Sequence, residues 1–357
     1  MSYRHLVIAA SVASLLGACT TAFESGDGDP ESEDRTERER QINDYVRNLD
    51  PWAVETPHVE EGDPSTPAAS GDYMCTTTNY KETRQYDNIV AFAANSGAMW
   101  PGALLRGDSV ETGLFTPVAV SRQPMSFSVS MAGGQHSATL EDPKLSSYRE
   151  ALARILDREV RGATPANIYA EIEEVHSADQ LAIALGVKAE WFIGSVAASF
   201  NFSDTQRRSR YVVKFTQAYF TADIDPPELP SDLLGRGVDL DDVTQHWWQG
   251  NAPVYVSSVT YGRSVMFMFE SDYSLEEMRA ALNFTFNAGV SISGSTSVSY
   301  REMLDQTKMT AYILGGSGED AVKAVDSYED LLTFIEEGGN FSKDSPGAPI
   351  AYKLAYL

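Results

Sequence analysis

The chain has 357 residues, 43% of them hydrophobic, with 27 Lys plus Arg against 51 Asp plus Glu and a formal net charge of −24 at pH 7. Length and apolar content suit roughly two domains with real cores, while the acidity excludes the basic footprint of a nucleic-acid binder and simple adhesion to anionic lipid. The charge is uneven, since Glu24–Asp63 holds 14 acids and 4 arginines, a net of −10 in 40 residues.

Residues 1–19 read as a processing signal, with Arg4 and His5 ahead of an apolar run (Leu6–Leu16) too short to span a bilayer. Leu16-Gly17-Ala18-Cys19 has the order of a bacterial lipobox, so the segment resembles lipoprotein precursors and Cys19 is the expected lipidation site. An ordinary secretory peptide that happens to contain a cysteine is the alternative. If Cys19 carries lipid, Cys75 is left alone, which excludes a disulfide framework; a small buried residue is its expected role. Residues 20–71 are acidic and rich in Gly, Pro, Ser and Thr, which predicts a flexible tether with one short charged helix within Arg35–Leu49.

From residue 72 to 357 the pattern is globular. Tyr148–Val160 has apolar residues at helical spacing and stops before Gly162. Val254–Phe269 is rich in β-branched and aromatic residues, which predicts one long strand bent at Gly262.

Two stretches carry conflicting instructions. In the first, about 177–220, Ser177 and Gln180 cap a helix, yet Leu181, Ile183, Leu185, Val187, Ala189, Trp191 and Ile193 alternate at strand spacing. After a phase slip the alternation resumes at Val196, Ala198, Phe200 and Phe202, then breaks at Ser203–Arg210, a segment suited to a polar tip beyond the far leaflet. In the second, about 274–312, Ser274 and Glu277 form a capping box and Ser299 with Glu302 a second one. Between them Met278, Ala280, Leu282, Phe284, Phe286, Ala288, Val290, Ile292, Val298 and Tyr300 alternate with mostly polar or small neighbours. Membrane barrels use strands of about ten residues with this alternation, although soluble sheets alternate too. The descending half, Glu302–Leu314, alternates poorly.

Ordered motifs then give a resemblance. WPGALL at Trp100–Leu105, APVYVSSVTYGR at Ala252–Arg263, TAYILGG ending at Gly315-Gly316, NFS at Asn340–Ser342 and PIAY at Pro349–Tyr352 are similar to the cholesterol-dependent cytolysins of the membrane-attack-complex and perforin superfamily. They follow that family's order over roughly Asp87–Leu357. The resemblance implies an α+β fold: a bent central antiparallel sheet flanked by two helical clusters, which in the family's pore formers unfurl into two transmembrane hairpins per subunit. Those clusters fall on the two conflicted stretches. The membrane-inserting residues it implies are Leu185, Val187, Trp191, Ile193, Val196, Phe200, Phe202, Val213 and Phe215 in the first hairpin, and Leu282, Phe284, Phe286, Val290, Ile292 and Val298 in the second.

The resemblance also implies a hinge at Gly315-Gly316, which equally suits an ordinary turn. It implies subunit contacts at Tyr169 and Glu171, with Met309 where the family has a phenylalanine and Lys323 as the nearest lysine to Asp326, where the family's lysine would fall. These departures suit a partner subunit of different sequence. No counterpart of the family's fourth domain follows Tyr352, so no direct cholesterol binding is expected and a longer cytolysin-like partner is implied for membrane recognition. His246-Trp247-Trp248 lies upstream and reads as a core or interface patch.

The five histidines are scattered, GGSGED at Gly315 lacks the lysine and register of a phosphate loop, and no nucleophile elbow occurs. Neither catalysis nor a cofactor is expected. Two functions stand: an exported, pore-forming component that assembles with itself or a partner in a ring at a lipid bilayer, favoured by the alternating stretches, and a non-lytic surface lipoprotein using the same fold as adhesin or scaffold, favoured by the lipobox.

Overall fold

Two long neighbouring strands organise the molecule. The computed structural model describes residues 30–51, 56–86, 89–90, 97–131, 136–162, 164–186, 209–246, 250–287, 295–314, 327–343, 345 and 347–357. Its large sheet has nine strands: β1 (Ile89–Val90), β2 (Leu104–Leu105), β3 (Met125–Val129), β4 (Ser137–Leu140), β5 (Asn167–Glu174), β6 (Ser209–Ile224), β7 (Val254–Ser271), β8 (Lys308–Leu314) and β9 (Ala348–Tyr356). The helices are α1 (Pro30–Arg47), α2 (Gly107–Glu111), α3 (Leu145–Glu159), α4 (Ala178–Ala184), α5 (Leu240–His246), α6 (Leu275–Asn287), α7 (Ser295–Asp305) and α8 (Tyr328–Glu337).

β6 and β7 pair antiparallel along almost their whole length, and their two ends have different neighbours. At one end β5 joins β6 and β8 joins β7; at the other, β3 joins β6 and β9 joins β7. Where the neighbours change, the β6–β7 register slips between Ala218 and Phe220, opposite Gly262 and Tyr261. Gly262 is required there, because an added Cβ would lie 2.1 Å from the Gln217 carbonyl oxygen. A bulge increases local twist and bends its strand, so the bend expected at Gly262 is present. All of β7 except its partly exposed middle is buried, which explains its nearly unbroken apolar sequence.

One core packs α3, β3 and the far half of β6 around Tyr148, Phe127 and Phe220. The helix expected over Tyr148–Val160 runs Leu145–Glu159, and Gly162 follows with φ +83°. The acidic segment differs from the expected tether. Its helix is longer than expected, Pro30–Arg47, and it docks: Ile42 and Val46 are buried, and Asn43 exchanges hydrogen bonds with Ser231, donating from Nδ2 to Oγ (3.1 Å) and accepting the backbone N–H at Oδ1 (2.9 Å). Two apolar residues one turn apart anchor a helix that composition alone marks as solvated. Cys75 is exposed, not buried, because it lies in a ribbon in which Ala68–Ser70 pairs with Tyr73–Cys75 and every residue of both strands faces solvent.

Candidate membrane-insertion and assembly surfaces

The meander β5-β6-β7-β8 carries both conflicted stretches at one end. Cα pairing sets Glu174 opposite Tyr211, Ser209 opposite Ser271 and Glu270 opposite Lys308. Residues 175–208 therefore join β5 to β6, and residues 272–307 join β7 to β8, where tight turns would suffice for adjacent antiparallel strands.

The second connection opens with the expected capping box. The Ser274 backbone N–H and hydroxyl donate to Glu277 Oε2 at 3.0 and 2.6 Å, and the Glu277 N–H donates back to Ser274 Oγ at 3.4 Å. Those bonds hold the Glu277 carboxyl below the ordinary carboxylate range. In α6 the buried residues are Met278, Ala281, Leu282, Thr285 and Phe286, the i, i+3, i+4, i+7, i+8 stripe of an amphipathic helix. Phe286 is the anchor, with ring centroids 5.2 Å from Phe215, 5.4 Å from Phe267 and 6.5 Å from Phe269. Phe284 is only half-buried and meets Tyr300 of α7 at 5.5 Å. Val298 is 54% exposed. Ser299 lies inside α7, so the second capping box is not a helix start; the helix begins a turn earlier in a serine-rich run.

The described part of the first connection, through residue 186, packs on the opposite face. Ser177 Oγ accepts the Gln180 N–H at 3.0 Å, the cap expected at the start of α4, and Gln180 Oε1 reaches one residue past the N-cap to accept the His176 N–H at 2.8 Å. Leu181, Ala182, Ala184 and Leu185 then pack on Val175, Val212, Met266 and Met268. Alternate residues of β6 and β7 thus serve different partners: Tyr211, Val213, Phe215, Val265, Phe267 and Phe269 face α6, α7 and α8, and Val212, Met266 and Met268 face α4.

This pairing bears on two expectations. Val213 and Phe215, expected in the first hairpin's membrane-facing set, belong to β6 and point to the face opposite Val212. Because β6 is buried on both sides, its apolar run gave no sign of which residues share a face. Ser209 and Arg210, the last two residues of the expected polar tip, open β6, and residues 203–208 lie outside the described residues.

At the sheet's end lies a charged row. Arg210, Glu270 and Lys308 are neighbours across β6, β7 and β8; Glu270 is 5% exposed, with Lys308 Nζ at 3.4 Å. At the bend, Gln217 Nε2 donates to the Ile335 carbonyl (2.7 Å), while Arg263 donates to Gln217 Oε1 (2.9 Å) and to the Phe334 carbonyl, its guanidinium 4.0 Å over the Phe334 ring. These donors satisfy last-turn carbonyls of α8 and place a cation at its negative end. Neither group was anticipated, because each depends on pairing across strands.

Of the expected subunit contacts, Tyr169 and Glu171 lie on β5, paired on one side to β6; Tyr169 is 46% exposed. Glu171 faces Lys214 of the same chain, with 3.5 Å between Nζ and Oε2. Met309 pairs with Phe269 on β8. Cys19, Val187, Trp191, Ile193, Val196, Phe200, Phe202, Val290, Ile292, Gly315, Gly316, Lys323, Trp247 and Trp248 lie outside the described residues. Among the described residues no group of His, Cys, Asp and Glu has metal-holding geometry, and no helix is long and apolar enough to cross a membrane. The second observation says nothing of a β-barrel, which crosses with strands.

The thiol-activated cytolysin family model matches residues 46–357. The chain belongs to that family. As a thiol-activated cytolysin relative it is 32% identical to pneumolysin of Streptococcus pneumoniae over 283 residues, covering 76% of this chain and 59% of that protein. It is 27% identical to perfringolysin O of Clostridium perfringens over 270 residues, covering 72% and 53%. The chain thus spans between half and six-tenths of these relatives' length. Among solved structures, the human-specific toxin intermedilysin superposes with TM-score 0.72 at 25% identity, over 90% of this chain and 71% of that one. Listeriolysin O superposes with TM-score 0.70 at 20% identity, over 92% and 70%, which bears on the fold alone. The expected α+β cytolysin fold is present, in a family of pore-forming toxins and not of enzymes.

Proposed function

We propose that the chain is a pore-forming subunit whose two connections, 175–208 and 272–307, become β-hairpins that extend β5–β6 and β7–β8 across a bilayer. One observation carries this: the register of the described strands accounts for where the apolar alternation falls in both connections.

Paired residues of antiparallel strands lie on the same face. In the meander, odd residues of β5 share a face with even residues of β6, β7 and β8. Carried into the connections, that rule demands a change from odd to even in the first and none in the second. With the first turn centred between residues 192 and 193, the alternating residues other than Ile193 obey it: Leu181–Trp191 are odd, Val196–Phe202 even, and Met278–Ile292, Val298 and Tyr300 all even. These fall on the face of Val212, Met266 and Met268, and Ile193 falls in the turn.

The rows also agree in height. Continued without a slip, the register joins Met278, Phe202, Ile183 and Tyr300 in one row, then Ala280, Phe200, Leu185 and Val298 in the next. Leu282, Ala198, Val187 and Thr296 follow, then Phe284, Val196, Ala189 and Gly294, and last Phe286, Gly194, Trp191 and Ile292. On the sheet side of this band the next row is mostly polar, with Glu276, Asp204 and Glu302 aligned beside Leu181. Nine residues per strand meet the roughly 9–11 that a tilted membrane strand needs. The intervening rows, such as Asn283, Ala197, Lys188 and Ser295, supply a wet inner face. Only a closed ring pairs every backbone group of such strands in lipid, so assembly is part of the proposal.

Edge strand β5 with Tyr169 and Glu171 is the proposed contact to a neighbouring subunit, with Met309 on the opposing β8 edge and Lys323 as the candidate ion-pair partner. Gly315-Gly316 is the proposed hinge. Because Met309 and Asp326 depart from the family pattern, a longer cytolysin-like partner is the proposed neighbour and membrane-recognising component. Export with acylation at Cys19 rests on the lipobox, which also favours the second reading, a tethered adhesin or scaffold that never inserts. Dye release from liposomes by the mature chain, alone and with a longer homologue of the same genome, tests the proposal. Release with an SDS-resistant ring supports it, and an intact dye load under both conditions leaves the scaffold.

A further inference from the structure

The arginines of helix α1 differ in their partners. Arg40, on its outer side, is fully paired, with Nε and Nη2 donating to Glu37 at 2.9 and 2.6 Å and Nη1 to Asp44 at 3.1 Å. Arg35 and Arg38 instead lie against the body, lining a cavity of about 10 Å³ together with Gln123, Ser231 and Arg236. The Nε of each is shut off from solvent and donates to no acceptor. Their ion-pair partners among the described residues, Glu39 Oε1 at 3.7 Å from Arg35 and Asp34 Oδ2 at 3.8 Å from Arg38, are too distant for hydrogen bonds. An enclosed guanidinium N–H without an acceptor is costly, and three guanidiniums, Arg35, Arg38 and Arg236, stand against the two carboxylates Glu39 and Asp34, one positive charge in excess among the described side chains.

The cavity holds one oxygen atom. A water would occupy it without answering the charge, whereas an anion with a projecting oxygen would do both, accepting from the two Nε groups while Arg236 approaches from the other wall. We propose that this cleft between α1 and residues 231–238 binds a small oxyanion of the phosphate or sulfate kind, one oxygen seated in the cavity. Bridging α1 to the body, the ion adds to the Asn43–Ser231 contact and holds the helix down. A free phosphate and the phosphate of a lipid headgroup present the same chemistry.

The full mature chain is melted in inorganic phosphate and in chloride at equal ionic strength, and digested with trypsin, which cuts at Arg35 and Arg38 only when α1 lifts. At ten times its dissociation constant, phosphate is expected to raise the midpoint by roughly 2 °C beyond chloride and to slow those cuts about tenfold. R35Q/R38Q, which lacks those two cleavage sites and is read by melting alone, loses the midpoint shift; R236Q, at an exposed loop position that leaves the core alone, loses both effects, and R40Q retains them. Co-sedimentation with phosphatidic acid vesicles but not phosphatidylcholine vesicles, lost in R35Q/R38Q, identifies the headgroup as the source; phosphate protection without co-sedimentation identifies the free ion. A midpoint shift no larger than chloride's means the cavity holds water, and an undiminished shift in R35Q/R38Q places the ion elsewhere; either result overturns the proposal.

Discussion

If residues 278–286 serve both as a helix stripe and as a strand face, substitutions at different positions must damage different states. Phe284 and Ala281 separate them. Phe284 is half-buried in the soluble fold, where it loses mainly its contact with Tyr300 on substitution, about 1 kcal/mol for such an aromatic pair. In the proposed hairpin it faces lipid close to the middle row, where an arginine costs about 2–4 kcal/mol. Phe284→Arg is thus expected to melt within about 1 kcal/mol of wild type in urea yet to lose at least roughly 30-fold in dye release, since each 1.4 kcal/mol is tenfold. Ala281 is the reverse. It is fully buried against the sheet, so Ala281→Asp buries a carboxylate and costs about 3 kcal/mol or more, but in the hairpin it faces the lumen. The protein that remains folded is expected to release dye at near wild-type rate per molecule. A folded Phe284→Arg with full lytic activity refutes the double use of this segment.

Phe286 is shared by both faces, so Phe286→Ala is expected to lower the urea-unfolding free energy by about 3–5 kcal/mol and also to reduce dye release from chains still folded. Asn43→Ala leaves the Ser231 N–H without its acceptor inside the α1 contact, costing about 1–3 kcal/mol of docking; hydrogen exchange should rise within Pro30–Arg47 while β6 and β7 stay protected. For Glu277, the folded pKa lies below the unfolded value of 4.5, so its cap contributes fully above that pH and is lost as pH falls through the depressed folded value. Exchange at the start of α6 should therefore rise on acidification below about pH 4.5, and Glu277→Gln should flatten that dependence.

Much of the fold was legible where the chemistry is local. The caps at Ser177 and Ser274 depend on residues three apart, and the bend at Gly262 depends on one missing side chain, so sequence spacing suffices for each. What was missed depends on partners far away in sequence. β6 is buried on both faces, so only its pairing with β7 reveals that Val213 and Val212 serve opposite cores. Docking of α1 rests on Ile42, Val46 and Asn43 in an otherwise charged helix, and the surface that receives them lies near residue 231. The buried Gln217–Arg263 pair caps carbonyls of a helix over 70 residues downstream. The alternation within 177–202 and 278–300 is plain in the sequence, and the proposal adds to it the register of β5 to β8, which gives one face if the strands continue into the connections.

The central claim is that this face meets lipid. Single cysteines at Leu282, Asn283, Phe284 and Thr285, each labelled with an environment-sensitive dye, are followed on liposomes that contain a lipid-phase quencher, with the longer homologue added where assembly requires it. The account predicts that dyes at 282 and 284 become blue-shifted and quenched while those at 283 and 285 stay in water. Equal quenching at all four positions, the opposite alternation, or four dyes that remain in water within an assembled ring would contradict it.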